Sequence, residues 1–185
     1  MRDLGTETIE TKRLTLRQFQ ANDAADMYYH YCSDPEVTRF MTWPAHRNLE
    51  VTNRVLSSWL DQYDEKTYMW AIVSEDIHEV IGTISVTQMD TKAESCEIAY
   101  AIGQNYWNQG YTTEALKAVM AFLFEQVGVN RIWACHDTRN PASGAVMKKC
   151  GMVYEGRLRQ AIKLNAGIGD LDTYGILKSE WTKEG

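Results

Sequence analysis

The sequence predicts a mixed α/β fold, built on one mostly antiparallel sheet of about six or seven strands with about four helices. Three observations lead there. Stretches of strand character follow one another at 67–74, 80–89 and 94–103, separated only by the polar turns 75–79 and 90–93, and such short turns join antiparallel neighbours. Helical periodicity occurs before this meander and twice after it. Finally, a single crossover helix separates the strand ending at Gly103 from the one starting at Arg131, so these two strands can run parallel.

The elements follow in order. Residues 1–12 form a polar lead-in. Arg13–Phe19 alternates Leu14, Leu16 and Phe19 with polar neighbours and is a half-buried strand. Asn22 or Asp23 caps a first helix that runs through Cys32, with Met27 and Tyr31 on one face and Tyr28 beside it. Asp34 and Pro35 start a short turn or helix that ends at Pro44. Asn48 caps a second helix over 49–63, whose inward residues are Val51, Val55, Leu56, Trp59 and Leu60. After the meander, a third helix buries Ala115, Val119 and Phe122 with Leu116, Leu123 and Val127. A short strand at 131–136 leads to Asn140 and Pro141, a cap and first residue for a fourth helix that stops at Gly151. Strands at 153–158 and 172–178 close the chain. The sequence contains no internal repeat, low-complexity segment or linker, so residues 1–185 are expected to form one domain.

Composition narrows the function. A net charge of −6 tilts against direct nucleic-acid binding and towards cationic or neutral partners. No apolar run has the length of a membrane span, and the N-terminus lacks the apolar core of a signal peptide. Cys32, Cys96, Cys135 and Cys150 are widely spread with no CxxC pair, which fits reduced thiols in a cytoplasmic protein. The histidines at 30, 46, 78 and 136 have no metal-ligand spacing, so no metal is expected.

The chain's chemistry is expected around Gly110. A tight loop, Gln109-Gly110-Tyr111-Thr112-Thr113-Glu114, runs straight into the third helix. The first N–H groups of a helix have no intrahelical partner and carry partial positive charge, so this loop is suited to hold an anion such as a phosphate. Gly110 allows backbone to approach a ligand where a Cβ would block it. The GxxxxGK[ST] and GxGxxG phosphate motifs are absent.

Four stretches together carry a resemblance: SDPEVTRFMTWP (33–44), EIAYAIG (97–103), YWNQGYTTEAL (106–116) and NPASGAVMKKCGMVYEG (140–156). The chain resembles the GNAT superfamily of acetyl-CoA-dependent N-acetyltransferases, in its RimJ/RimL-type branch, over nearly its whole length. The resemblance implies that acetyl-CoA is the cosubstrate, with its pyrophosphate on the amides of residues 109–114. It further implies that the strand at Tyr100, Ala101 and Ile102 splays from the one after Arg131 and pairs its backbone with the pantetheine arm. Asn140 and Ser143 match the family's Asn-x-x-Ser, at the cofactor and beside the reacting group. The superfamily's loop pattern has Gln or Arg where this chain has Trp107, and Gly or Ala where it has Thr112. Met147 stands where many members carry a proton-donating tyrosine, which leaves Ser143 or water to protonate the leaving thiolate.

Attack of an amine on a thioester requires a neutral amine, and an α-amino group titrates near pH ~8. Glu97 is the candidate base, acting through water, because strand alternation puts it on one face with the small residues Ala99 and Ala101. A backbone N–H near Ile102 is the implied donor to the thioester oxygen. Cys135 and His136 are adjacent on a strand and point to opposite faces, so covalent catalysis is not expected. Tyr28, Tyr29, Phe40 and Trp43 are candidates for the acceptor wall, whereas Tyr31 and Trp59 fit the core better. The resemblance leaves the acceptor open between a protein N-terminus, ribosomal proteins included, and a small amine such as a polyamine, aminoglycoside or amino acid. It is compatible with a monomer or a homodimer. A non-catalytic acyl-CoA-binding regulatory module is the alternative from another class.

Overall fold

The computed structural model describes residues 1–181. Among them one eight-stranded sheet runs in the order β1-β2-β3-β4-β5-β6-β8-β7. Its strands are β1 (Ile9–Glu10), β2 (Leu14–Arg17), β3 (Met69–Ser74), β4 (Val80–Asp90), β5 (Ser95–Ile102), β6 (Arg131–Asp137), β7 (Val153–Leu164) and β8 (Gly167–Leu177). Every neighbouring pair is antiparallel except β5 and β6. The α-helices are α1 (Ala24–Met27), α2 (Pro35–Thr38), α3 (Leu49–Leu60), α4 (Tyr111–Phe122) and α5 (Pro141–Lys149). Wider π turns continue α1 to Cys32 and α4 to Val127.

Both faces of the sheet are covered. On one face α4 packs Ala115, Leu116, Val119 and Met120 against Leu14, Leu16, Trp70, Ile72 and Ile98. On the other, Met27 and Tyr31 from the first helix and Leu56 from α3 pack against Phe19, Ala71, Val73 and Val80. Strand β3 alternates its residues between these two clusters and is buried from Trp70 to Ser74, which is why Met69–Val73 is an unbroken apolar run. Asn48 caps α3 as expected, its side chain accepting from the Val51 N–H.

The eight strands and five helices exceed the six or seven and four read from the sequence. The short β1 lies inside the polar lead-in, and α2 is a single turn set by Asp34, whose carboxylate accepts from the Glu36 N–H. The second sequence helix stops at Leu60 instead of residue 63. The largest difference is β7, expected over 153–158 and extending to Leu164. It is an edge strand exposed along most of its length, with register breaks between Tyr154 and Gly156 and between Leu158 and Ile162. A strand held by backbone bonds, without a buried face, has no apolar alternation to betray it.

One feature of the sheet matters most for function. Strands β5 and β6 pair only at Ser95–Arg131, Cys96–Ile132 and Glu97–Trp133. Beyond Glu97 they part, while β5 stays paired with β4 up to Ile102. The result is a V-shaped gap in the middle of the sheet that opens towards the C-terminal ends of both strands.

Candidate active site at the parted strands

The Gly103 N–H donates to the Ile81 carbonyl at 2.9 Å. By antiparallel alternation, Ala99, Ala101 and Gly103 therefore aim their backbone groups at β4, and Tyr100 and Ile102 turn theirs into the gap. The Ile102 carbonyl accepts the indole N–H of Trp107 at 2.9 Å, so Trp107 holds the end of the strand. The amides of Tyr100 and the Ile102 N–H face the gap beyond the last β6 partner, a fit for an extended chain with amide groups of its own, such as pantetheine.

At the head of α4, Gly110 lies in the left-handed region at φ 83°, a conformation for which glycine is favoured. The N-cap carries no side-chain bond, and the N–H of Glu114 is already given to the Gly110 carbonyl at 3.0 Å. The Glu114 N–H is therefore not available to an anion, which corrects the expectation for it, and the amides of residues 109–113 remain as candidates. The Glu114 carboxylate instead ties α4 to the turn between β1 and β2, accepting from Thr11 Oγ1 at 2.8 Å and from Arg13 N and Nε at 2.9 and 2.7 Å. Gln109 gives its carbonyl to Arg13 and its side-chain N–H to the Asn105 carbonyl. Arg13, which has no sequence signal of its own, lies over the Tyr111 ring at 4.3 Å, with its charge paired to Glu114 beside the loop. These features fit a pyrophosphate.

The two sides of the gap carry different groups. Glu97 is half-buried on the face shared with Ala99 and Ala101. Its two oxygens have separate donors: Thr87 Oγ1 at 2.7 Å and the Cys135 thiol at 3.6 Å. Thr87 is the extra residue of a β-bulge in β4, between Val86 and Gln88, and the bulge is what brings it to Glu97. Burial and the neighbouring carboxylate push the Cys135 thiol up to about 12, which suits a hydrogen-bond donor and not a nucleophile.

On the opposite face, Tyr100 leaves the sheet towards α5, and its hydroxyl lies 3.0 Å from both the carbonyl and the Oγ of Ser143. Asn140 occupies the N-cap position of α5, yet its side chain makes no cap bond, so capping does not account for it. Met147 is buried in the core. His136 is buried with its ring against Gly144, where a Cβ would come within 2.4 Å of Nε2. Sequence position gave no hint of the hydroxyl contact between Tyr100 and Ser143, because 43 residues separate the two.

The acceptor candidates divide. Tyr29 is exposed and stacks edge-on with Tyr28. Phe40 sits between the guanidinium groups of Arg39 and Arg139, at 5.3 and 5.9 Å. Trp43 packs partly onto the second core cluster. Tyr31 is fully buried and Trp59 packs on Phe19, in keeping with a core role. The tip of the β7–β8 hairpin reaches this loop: Asn165 N and Ala166 N donate to the carbonyls of Met41 and Arg39. The Asn165 side-chain amide donates to those of Thr38 and Trp43, each at 2.8 Å. Arg139 chelates Asp137 with two 2.7 Å bonds and donates to the Ala166 carbonyl at 2.9 Å.

Residues 13–153 match the acetyltransferase (GNAT) domain. The uncharacterized N-acetyltransferase YoaA of Bacillus subtilis strain 168 is 33% identical over 92% of this chain and 96% of its own length. The ribosomal-protein-serine acetyltransferase of Escherichia coli K12 is 27% identical, covering 91% of this chain and 96% of its own. In fold the chain is similar to the microcin C7 self-immunity acetyltransferase MccE, solved with acetyl-CoA and AMP, at a TM-score of 0.78 and 23% identity over 90% of this chain and 93% of that one. The match makes this an acyltransferase, and the chain belongs to the GNAT family of N-acetyltransferases. Enzymes of this family take the acetyl group from acetyl-CoA and pass it to an amine.

Proposed function

We propose that this protein acetylates a primary amine by direct attack in a ternary complex, and that the acceptor is the N-terminal α-amino group of a protein, ribosomal proteins included. The observation that carries the chemical part is the placement of Glu97 and Ser143 on opposite faces of the same gap. Acetyl-CoA, when bound, supplies the activated acetyl thioester. The amides of residues 109–113 hold its pyrophosphate, and the backbone of Tyr100 orients its amide arm. Glu97, fixed by Thr87 and Cys135, takes a proton from the incoming ammonium group through a water. The Ile102 N–H donates to the carbonyl oxygen, and Ser143 gives its hydroxyl proton to a hydrogen bond with the departing sulfur. Asn140 stands beside Ser143 with its side chain free for the arm of the cosubstrate.

The protein-terminus assignment rests on likeness to the ribosomal-protein-serine acetyltransferase along the length of both chains. The net charge of −6 gathers cationic acceptors of any size, polyamines and aminoglycosides included. The test is thiol release from acetyl-CoA with a panel of N-terminal peptides, polyamines, aminoglycosides and amino acids. Release confined to peptides supports the reading, whereas release with a small amine alone moves the acceptor class to metabolites or drugs.

A further inference from the structure

We infer that Tyr100 is a positioning residue for departure of the thiolate: its phenol orients the Ser143 hydroxyl and stabilises it as it donates to the sulfur. This deepens the proposed function and rests on the role given there to Ser143. The Tyr100 Oη lies 3.0 Å from two acceptors on one residue, Ser143 Oγ and Ser143 O. A phenol has a single proton, so it can serve one of them fully at a time. When it donates to the carbonyl, the serine proton can turn to Oη; when it donates to Oγ, the serine proton is free to point into the gap. Passing between the two arrangements needs only rotation of two O–H bonds. No heavy atom moves, as preorganised stabilisation requires.

The surroundings favour this role. Burial holds the Tyr100 hydroxyl well above the usual phenol range, an effect only partly offset by its bond to Ser143, so it stays a neutral donor at every working pH. Tyr100 belongs to the stretch of β5 that has left β6, and its backbone and its hydroxyl therefore bear on the same gap. As negative charge grows on sulfur, Ser143 Oγ becomes the better acceptor and the phenol proton is drawn towards it. Hydrogen bonds chained in this way strengthen one another in a low-dielectric site. Met147, seven residues after Asn140, is buried and has no proton to donate. The phenol of β5 supplies the second hydroxyl of the site from the other side of the helix end.

The alternative is a brace, in which Tyr100 merely ties α5 to the sheet. Tyr100→Phe, Ser143→Ala and the double variant distinguish the two, read by kcat with a reactive amine and by calorimetric affinity for CoA and for desulfo-CoA at pH 7 and 9. Tyr100→Phe is expected to lower kcat about tenfold, the worth of one charge-assisted hydrogen bond, and to add nothing in the Ser143→Ala background. The free thiol ionises near pH ~8.5, so the wild-type preference for CoA over desulfo-CoA should grow between pH 7 and 9 and be blunted in both single variants. Equal loss of affinity for CoA and desulfo-CoA, or additive losses in kcat, would overturn the inference in favour of a brace. If Ser143→Ala leaves both readouts unchanged, the role of Ser143 itself fails and the inference falls with it. If Ser143→Ala is impaired and Tyr100→Phe is not, only the inference falls.

Discussion

Glu97 takes its orientation from two residues on different strands, Thr87 in the β4 bulge and Cys135 on β6. A carboxylate with one donor on each oxygen keeps its remaining lone pairs for a water. Glu97→Gln keeps the shape and removes the base, so kcat/KM should fall at least about 100-fold. The loss should be largest with amines of high pKa, measured as thiol release across pH 6–9; an unchanged profile would remove Glu97 from the chemistry. At this scale the sequence was half legible. Alternation along CEIAYAI assigned Glu97 to the small-residue face, and β5 keeps that alternation. Thr87 was not legible, because a bulge inserts one unpaired residue and leaves no trace in the apolar pattern. The contacts of Arg13 with Tyr111 and of Tyr100 with Ser143 join distant segments and have no local signature.

Among the elements, the join between Gly110 and α4 is the most demanding. At φ 83° a Cβ finds open space, its nearest neighbour being an Arg13 nitrogen at 3.5 Å. Gly110→Ala therefore meets backbone strain and no clash, a cost of about 1–2 kcal/mol. Urea unfolding should show that loss, and acetyl-CoA affinity should weaken as the first amides of α4 tilt; full retention of both would mean the left-handed turn is dispensable. The segment was read correctly because its signal is local: a glycine, then an apolar face with helical spacing. The edge strand β7 has no such signal and was cut short.

Two ion pairs, Arg139–Asp137 at the end of β6 and Arg13–Glu114 between the start of β2 and α4, set an acid limit on stability. Donation from Arg139 holds Asp137 below its ordinary range. For Glu114, burial pushes upward, but the bonds from Thr11 and Arg13 together bring it below its usual value. Depressed carboxylates stabilise the folded state fully above their unfolded values, about 3.9 for Asp and 4.3 for Glu, and this is lost as pH falls through the lower folded values. The urea midpoint should thus be nearly flat from pH 7 to 5 and drop below pH 4. A midpoint unchanged at pH 3 would show these pairs to be unimportant.

At the scale of the whole molecule, the gap between β5 and β6 is bridged at its wide end. The loop 38–43 follows α2, and the π turn that continues α1 meets the end of β5, where the His30 carbonyl crowds Gly103. The hairpin tip 165–166 extends past β6 on the far side, and the two segments meet through four N–H donations to the carbonyls of Thr38, Arg39, Met41 and Trp43. Asn165 alone spans both ends of that loop, and Arg139 fastens the tip back onto Asp137 at the end of β6. The strands, the loop and the hairpin thereby close a ring around the gap, with Phe40 held against Arg139 on its rim. A ring of this kind would let the proposed acceptor wall be specified by residues far from the loop at Gly110. Asn165→Ala removes two donors and leaves two carbonyls to water, so its effect on stability should be modest, about 1–2 kcal/mol. Its effect on function should be selective: the KM for the amine should rise several-fold, while the affinity for acetyl-CoA, proposed to rest on the head of α4 and on β5, should hold. Asn165→Asp, which keeps the size but cannot donate, should behave like Ala. If instead acetyl-CoA affinity falls and the amine KM is unaltered, the bridge supports the cofactor side, and acceptor selection must lie elsewhere on the rim.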